Sequence, residues 1–237
     1  MSGGCTALIA AAGSASRMGG IDKALAPLNG TPLLLHTVRA LAACPELDAL
    51  IIVTRDDLLE PVRALCASVS KLKAVCPGGA SRSESVLRGL QMVETELVAV
   101  HDGARPLVTQ AVVAAAVRRA RETGAAAPAV PVHDTIKVAC SGRVRQTPER
   151  STLFAVQTPQ VFRTAALTAA LTSALAAGRA LTDDCSAMEL AGQEVFLTPG
   201  DVENLKVTTP VDLAFAEAIL KRRNAVCESG TDMTFTG

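Results

Sequence analysis

Short apolar runs recur along the chain, and segments with apolar residues at helical spacing follow them. Residues 8–11 (LIAA), 49–54 (ALIIVT) and 97–101 (LVAVH) are the clearest runs, and their length favours strands that are buried on both faces. Residues 109–123 are typical of the helical segments, and Gly124 is the expected end of that helix. Strands that alternate with helices predict an α/β fold built on a doubly wound, mostly parallel sheet with right-handed crossovers.

Two stretches depart from this alternation. Residues 125–132 predict a strand that contains two prolines, which favours a position near an edge of the sheet or at a bulge. Residues 134–150 contain two short alternating segments around a Ser141-Gly142 turn, which predicts a projecting β-arm in the form of a hairpin. An isolated hairpin is marginally stable in water, so the arm needs a partner surface. Residues 1–237 contain no internal repeat and no linker, and we expect a single domain that carries the arm.

Composition narrows the class of partner. The 237 residues carry no net charge, and aromatic residues make up 2%, with no Trp or Tyr. Proteins that bind nucleic acids usually have basic patches and often aromatic stacking surfaces, so this composition argues against nucleic acid as a partner. The seven cysteines are scattered without a C-x-x-C pair, so neither zinc nor a disulfide framework is indicated, and their odd number suits a reducing compartment. No apolar stretch reaches membrane-spanning length. We therefore expect a cytoplasmic protein without a membrane partner.

The first predicted strand runs into a loop that is rich in glycine and serine and carries Arg17 and Lys23. Small residues let backbone N–H groups approach an anion, and the cations add charge, so the loop is a candidate phosphate site. It matches neither common phosphate loop: the Walker pattern counted from Gly13 requires glycine where Met18 stands, and the dinucleotide pattern requires glycine where Ala15 stands. A surface loop with two solvated cations is the alternative interpretation.

A second glycine-rich segment, residues 77–85 (PGGASRSES), follows a predicted strand and opens a helix. Its glycines permit close backbone approach, and the start of the helix offers free N–H groups, so the segment can hold a base edge or a ribose. The alternative is an ordinary turn with a serine N-cap.

A candidate metal ligand stands at the end of the strand at residues 97–101. Asp102 lies at the carboxyl end of this strand, where open α/β sheets bind their ligands, and its carboxylate can hold Mg²⁺ against a triphosphate. A salt bridge between Asp102 and Arg105 is the alternative. His101, alone beside a strand end, is interpreted as a structural residue. The acidic pair that follows Thr182 is most simply a helix cap.

Seven segments together resemble the 2-C-methyl-D-erythritol 4-phosphate cytidylyltransferase family. They run in the family's order over about residues 6–220 and are AAAGSASRMG with Lys23, GGASRSESVLRGL, VHDGARPLV, PVHDTIK, QTPQVF, LTDDCSAMEL and ENLKVTTPVDL. The resemblance implies a Rossmann-like nucleotidyltransferase fold, CTP as co-substrate, Mg²⁺ or another divalent ion, and a homodimer that exchanges the β-arm at 134–150. Ala80 departs from the pattern, because relatives often have an acidic residue there.

The resemblance also assigns roles to individual residues. It implies that Arg17 and Lys23 stabilise the transition state and that Arg150 and Lys206 position the sugar phosphate. It places around CTP and the metal Ala11, Ala12, Gly13, Gly79, Ala80, Ser85 and Asp102, with Asp102 as the metal ligand. It places around the methylerythritol phosphate, beside Arg150 and Lys206, the residues Arg105, Thr135, Thr182 and Thr208.

The implied reaction transfers CMP from CTP to 2-C-methyl-D-erythritol 4-phosphate and releases pyrophosphate. Two alternatives stay open at this point. The acceptor can be a related polyol phosphate such as ribitol 5-phosphate, since the same loop would serve it. The chain can also be a non-catalytic nucleotide-sensing module, although such a module has no need to keep both cations of the first loop, Asp102 and Lys206.

Overall fold

A mostly parallel, eight-stranded β-sheet forms the centre of the protein. The computed structural model describes the backbone of residues 2–13 and 22–229 and the side chains of residues 3–13, 22 and 24–225. The strands are β1 (Ser2–Ala11), β2 (Pro27–Leu28), β3 (Thr31–Pro32), β4 (Ala49–Thr54), β5 (Leu72–Pro77), β6 (Thr95–Asp102), β7 (Ala125–Pro131), β8 (Val138–Cys140), β9 (Arg143–Gln146), β10 (Phe154–Val156), β11 (Gln160–Arg163) and β12 (Phe196–Pro199).

Seven α-helices and three short 3-10 turns connect these strands in the described part of the chain. The helices are α1 (Leu33–Ala42), α2 (Leu59–Leu65), α3 (Arg82–Leu90), α4 (Gln110–Thr123), α5 (Thr164–Ala176), α6 (Asp184–Leu190) and α7 (Pro210–Ser229), and the 3-10 turns are Lys23–Leu25, Asp56–Leu58 and Arg150–Thr152. No helix among the described residues combines the length and the apolar character needed to cross a membrane.

The strand order confirms the predicted doubly wound α/β class. The sheet runs β10-β7-β11-β6-β1-β4-β5, and β12 pairs with β7. Strand β1 pairs in parallel with β4 on one side and with β6 on the other, so the connections diverge at the carboxyl end of β1. In open α/β sheets such a divergence leaves a crevice in which ligands bind.

Alternate residues of the buried strands serve two different cores, which is why these runs are apolar throughout. Ile9 of β1 packs in a cluster with Val38 of α1 and Val113 of α4. Its neighbour Leu8 points to the opposite face and packs in a cluster with Val86 of α3 and Leu167 of α5. Because side chains alternate across a strand, the helices of the two faces seal both sides of one sheet.

The prediction that residues 125–132 lie near an edge of the sheet or at a bulge is confirmed in its first part, because β7 is paired on both sides but lies next to the terminal strands β10 and β12. Strand β7 pairs with β12 in parallel and, further along, with β11 and β10 in antiparallel. The carbonyl of Pro128 accepts a hydrogen bond of 2.7 Å from the N–H of Gln157, at the point where the chain passes from β10 to β11. An interior strand accommodates Pro128 because this residue faces the interruption between two partner strands rather than a continuous ladder.

The predicted hairpin is present. Strands β8 and β9 pair only with each other in a two-stranded sheet, and Ser141 and Gly142 between them have positive φ angles of 50° and 76°. Val138 and Val144 of the hairpin are 47% and 60% exposed in the single chain. The hairpin therefore presents apolar side chains that the described part of its own chain leaves open to solvent.

Candidate active site

A cavity of about 400 Å³ opens at the carboxyl ends of β1 and β6, beside the start of α3. Lys206, from the loop between β12 and α7, also lines it. Its wall contains all seven residues that the resemblance places around the nucleotide, namely Ala11, Ala12, Gly13, Gly79, Ala80, Ser85 and Asp102. The fold brings them together because the carboxyl ends of parallel strands share one edge of the sheet. Nucleotide binding by these residues stays a prediction.

The loop before α3 is a closely packed turn, and a serine cap is part of it. Ser81 accepts a hydrogen bond of 3.1 Å from the N–H of Glu84, as the alternative interpretation of this segment predicted. The N–H groups of Gly79 and Ala80 are also bonded within the loop, to the Ser85 hydroxyl at 3.0 Å and to the Glu84 carboxylate at 2.9 Å. Gly78 is required here, because a Cβ at this position would lie 2.4 Å from the Cβ of Ala12. The loop thus closely approaches the end of β1.

Three cationic side chains surround the Asp102 carboxylate. The Nζ atom of Lys206 lies 3.0 Å from Oδ2, Nε of Arg105 lies 3.6 Å from the same oxygen, and a guanidinium nitrogen of Arg82 lies 3.6 Å from Oδ1. Burial alone would raise the pKa of Asp102, but the charges of Lys206, Arg82 and Arg105 outweigh it and hold the pKa below its ordinary value. The carboxylate is therefore ionised at neutral pH inside a net positive cluster, which suits a polyphosphate ligand.

Sequence reasoning missed Arg82, which links this cluster to a second carboxylate. Its guanidinium donates a 2.8 Å hydrogen bond to Asp184, a fully buried residue at the first position of α6. Asp183 supplies the predicted helix cap, since its Oδ1 accepts from the N–H of Ser186 at 2.9 Å. The two acidic residues therefore have different roles: Asp183 caps the helix, while Asp184 pairs with Arg82. The available signal was an arginine three positions after the second glycine of residues 77–85, at the start of the predicted helix.

His101 has a structural role, as the sequence indicated, because its ring hydrogen-bonds to Thr158 and to Arg105, two residues that contact Asp102. It is completely buried, with Nδ1 3.0 Å from the Thr158 hydroxyl and Nε2 3.2 Å from the Arg105 carbonyl oxygen. The Thr158 hydroxyl in turn accepts a 3.0 Å hydrogen bond from the N–H of Asp102. Burial lowers the pKa of His101 from its ordinary value of 6.5 to about 4, so the imidazole is neutral at pH 7.

This neutral imidazole predicts a specific acid sensitivity of the fold. Because the pKa of His101 is lower in the folded state, the unfolded state binds the proton first as the pH falls, and stability is lost between about pH 6.5 and about pH 4. The shift corresponds to about 3 kcal/mol in the free energy of unfolding. We expect urea unfolding at pH 7.5 and pH 4.5 to show a larger loss in the wild-type protein than in His101→Gln. Equal losses in the two proteins would contradict this account.

The predicted acceptor-site residues do not all meet in this cavity. Thr135 and Arg150 line a separate hollow of about 600 Å³ at the base of the arm, and an Arg150 guanidinium nitrogen donates to the His133 carbonyl oxygen at 3.0 Å. Thr182 lies in the exposed loop before α6. Within one chain, therefore, Arg105 and Lys206 join the Asp102 cluster and the others lie apart from it.

Thr208 is part of the cap of α7. Its hydroxyl and its N–H both donate to the Asp212 carboxylate, at 2.7 and 2.8 Å. The Thr208 hydroxyl contributes most to lowering the pKa of Asp212 to about 2. The hydroxyl oxygen of Thr208 can still accept a hydrogen bond from a ligand, but the hydroxyl cannot donate one, because it already donates to Asp212.

The two predicted cations of the first loop are Arg17 and Lys23. Arg17 and the side chain of Lys23 lie outside the described part of the chain. The Lys23 backbone begins the turn Lys23–Leu25, and its neighbours Asp22 and Ala24 line the cavity. The backbone of Lys23 therefore lies beside the predicted nucleotide site.

The donor set at Asp102 fits a divalent ion that arrives with its ligand. The described residues contain no group of three or more His, Cys, Asp or Glu side chains that could hold a metal by themselves. Mg²⁺ commonly uses one or two carboxylates together with substrate phosphates and water. Asp102 supplies one hard oxygen donor in the cavity wall, where phosphates would supply the remainder.

A crevice at the divergence of the strand connections, with small residues and a cationic cluster around one carboxylate in its wall, is the arrangement expected of a nucleotide-binding α/β protein. Residues 5–222 match the family model described as IspD, 2-C-methyl-D-erythritol 4-phosphate cytidylyltransferase. The chain belongs to this family, and its members are nucleotidyltransferases.

Individual relatives agree with the family match. The chain is 44% identical to 2-C-methyl-D-erythritol 4-phosphate cytidylyltransferase of Desulforamulus reducens, over 95% of this chain and 100% of the relative. It resembles the crystal structure of 4-diphosphocytidyl-2C-methyl-D-erythritol synthase from Anaerococcus prevotii with a TM-score of 0.83 at 28% identity, over 92% of this chain and 96% of that one. The enzyme of Thermus thermophilus gives a TM-score of 0.77 at 32% identity, over 91% and 98%.

Proposed function

We propose that this protein transfers the CMP unit of CTP to 2-C-methyl-D-erythritol 4-phosphate, giving 4-diphosphocytidyl-2-C-methyl-D-erythritol and pyrophosphate, as a step in the synthesis of isoprenoid precursors. The observation that carries the proposal is the Asp102 cluster, which places three cations around one carboxylate at the crevice of the sheet, in a chain that belongs to the cytidylyltransferase family.

The chemistry requires positioning and charge neutralisation more than proton transfer. An oxygen of the acceptor phosphate attacks the α-phosphorus of CTP, and the bond from that phosphorus to the bridging oxygen of pyrophosphate breaks. The second pKa of a phosphate monoester is about 6, so the nucleophile is already mostly ionised at pH 7. The main barrier is the approach of two anions, and preorganised cations lower it.

The residues divide this task. Arg17 and Lys23 stabilise the charge that develops on the α-phosphoryl group, and Lys206 and Arg105 hold the acceptor phosphate beside it. Asp102 would hold a divalent ion, usually Mg²⁺, which when bound neutralises phosphate charge. The Asp102 carboxylate is kept ionised for that purpose by the three cations around it.

A homodimer with exchanged arms would complete the acceptor site. Thr135 and Arg150 lie apart from the Asp102 cavity in their own chain, and they flank a surface with several exposed apolar side chains. These are Ile136, Val138, Val144, Phe154 and Val156, which are 39–60% exposed. Burial of such side chains against a second copy would stabilise the dimer. In this dimer Arg150 would lie at the partner's site, where its guanidinium can donate two hydrogen bonds to a phosphate.

We place the activity in the cytoplasm. The described cysteines, Cys5, Cys44, Cys66, Cys76, Cys140 and Cys185, are free thiols, and Cys140 is exposed. Free thiols of this kind persist in a reducing compartment.

Pyrophosphate release tests the proposed reaction directly. The purified protein is incubated with CTP, Mg²⁺ and either 2-C-methyl-D-erythritol 4-phosphate or ribitol 5-phosphate. We expect release with the methylerythritol phosphate. Release with ribitol 5-phosphate alone would assign a different acceptor, and CTP binding without release under either condition would favour a nucleotide-sensing module.

The loop before α3 predicts a strong preference for CTP over UTP. The N–H groups of Gly79 and Ala80 are bonded within the loop, and the carbonyl oxygens of Gly78 and Ser81 accept from Arg88 and Ser85. Among the carbonyl oxygens of residues 78–81 in the described structure, those of Gly79 and Ala80 therefore remain for a base. Carbonyl oxygens accept from the amino group of cytosine, whereas uracil would present an oxygen at the same place. A site that leaves polar groups unpaired rejects the wrong ligand by about 10⁴-fold or more in kcat/KM. Equal turnover of CTP and UTP under matched conditions would contradict this prediction.

A further inference from the structure

The loop that carries Lys206 is not part of a β-strand in the described structure, yet it places the Lys206 Nζ atom 3.0 Å from Asp102 Oδ2. Single backbone hydrogen bonds fix its two ends: Gly200 N–H donates to Ala129 at 2.9 Å, and Val207 N–H donates to Ala104 at 2.8 Å. Lys206 itself is 43% exposed along its side chain. Its placement therefore depends on what holds the middle of the loop.

Asn204 holds the middle of this loop. It is completely buried, and its amide nitrogen donates to the Thr158 carbonyl at 3.0 Å and to Gln157 Oε1 at 3.2 Å. The carbonyl oxygen of Thr158 can only accept, so the nitrogen end of the Asn204 amide must face it. The backbone carbonyl of Asn204 accepts a 2.6 Å hydrogen bond from a guanidinium nitrogen of Arg105. One residue thus bonds both to the segment between β10 and β11 and to Arg105.

The same segment is bonded to Asp102. The Thr158 hydroxyl accepts a 3.0 Å hydrogen bond from the Asp102 N–H, while the Thr158 carbonyl accepts from Asn204. Thr158 consequently fixes the position of the Lys206 loop relative to Asp102. Gln157 reinforces it, because its amide nitrogen donates to Asp201 at 2.8 Å.

The Asn204 amide is only half satisfied, since its buried Oδ1 has no hydrogen-bond partner in the described structure. A buried oxygen without a partner costs stability, so an apolar residue of similar volume would remove that cost while leaving the Thr158 carbonyl without its partner, and the two effects on the folding free energy oppose each other. The amide is better explained by the geometry it imposes than by stability.

We propose that Asn204 is a positioning residue, which sets Lys206 and Arg105 against Asp102 through Thr158 for binding of the acceptor phosphate. This inference rests on the proposed function, because that function makes Lys206 and Arg105 ligands of the acceptor. Asn204 acts through these two cations and touches no reacting atom itself.

Asn204→Leu removes both amide hydrogen bonds at similar volume. We expect kcat/KM for 2-C-methyl-D-erythritol 4-phosphate to fall by about 10²-fold, because displacement of a positioning group by about 1 Å has an effect of that size. KM for CTP should change little, since the walls formed by β1 and the loop before α3 are untouched. The matched control is Thr164→Val, which removes a buried 2.9 Å hydrogen bond to Thr95, the first residue of β6. Thr164→Val should lower the melting temperature without changing either KM.

A double-mutant cycle with Lys206→Ala separates positioning from general destabilisation. If Asn204 acts through Lys206 and Arg105, the loss of activity in the double variant is clearly smaller than the product of the losses in the two single variants. Fully additive effects, or losses that follow melting temperature and affect both substrates equally, would overturn the inference. Should the leucine variant fail to fold, Asn204→Ala in the same cycle decides the question. A wild-type protein that releases no pyrophosphate with this acceptor would overturn the proposed function first, and the inference with it.

Discussion

Replacing Lys23 by alanine is expected to lower kcat by a factor on the order of 10²–10³, the typical effect of removing one donor that stabilises transition-state charge. The fold should be unaffected, because hydrogen bonds of the Asp22 carboxylate and of the backbone stabilise the turn at residues 23–25. The Asp22 carboxylate accepts a 2.8 Å hydrogen bond from the N–H of Ala24 and pairs with Arg55, and the N–H of Leu25 donates to the Asp22 carbonyl at 3.0 Å.

The measurement is steady-state pyrophosphate release, with a thermal unfolding curve for each protein. Lys73→Ala is the matched control, because it removes the same charge from an exposed position on β5. It should leave both kcat and melting temperature unchanged. Near wild-type turnover of Lys23→Ala would remove Lys23 from the proposed transition-state site.

Mixing Lys23→Ala subunits with Arg150→Ala subunits, each nearly inactive alone, is expected to restore about a quarter of wild-type activity per subunit if sites are shared across a two-fold dimer. In a mixed dimer one site contains both substitutions and the other contains neither. Random exchange makes about half of the dimers mixed, and half of their sites are intact. The prediction follows from the separate position of Arg150, which lies at the base of the arm rather than in the Asp102 cavity of its own chain.

A second mixture provides the control. Lys206 lines the cavity of its own chain, as do the neighbours of Lys23, so mixing Lys23→Ala with Lys206→Ala subunits leaves one defect in every site of a mixed dimer. This mixture should recover no activity. Recovery in neither mixture despite verified subunit exchange, or a fully active monomer in solution, would exclude the shared site.

The sequence by itself determined the fold class and the edge of the sheet at which the cavity opens. Apolar runs such as residues 49–54 contain their own strand signal, and the alternation with helices leaves few topologies other than a doubly wound sheet. That topology places the ends of β1 and β6 at one edge, so Gly13, Gly79 and Asp102 could be expected together before any distance was known. The hairpin was equally local, because the Ser141-Gly142 turn and its flanking alternation lie within one short stretch.

Only the tertiary structure decided which polar groups pair across the fold. Arg82 meets Asp184 from 102 positions away, and Asn204 reaches Thr158 from 46 positions away. The pairing of β7 on both of its sides depended in the same way on the return of β10, β11 and β12 to this strand. Periodicity records which face of an element is buried, whereas a buried ion pair or amide depends on the approach of two distant segments. No local pattern encodes that approach, since it is set by the packing of the whole sheet and its helices.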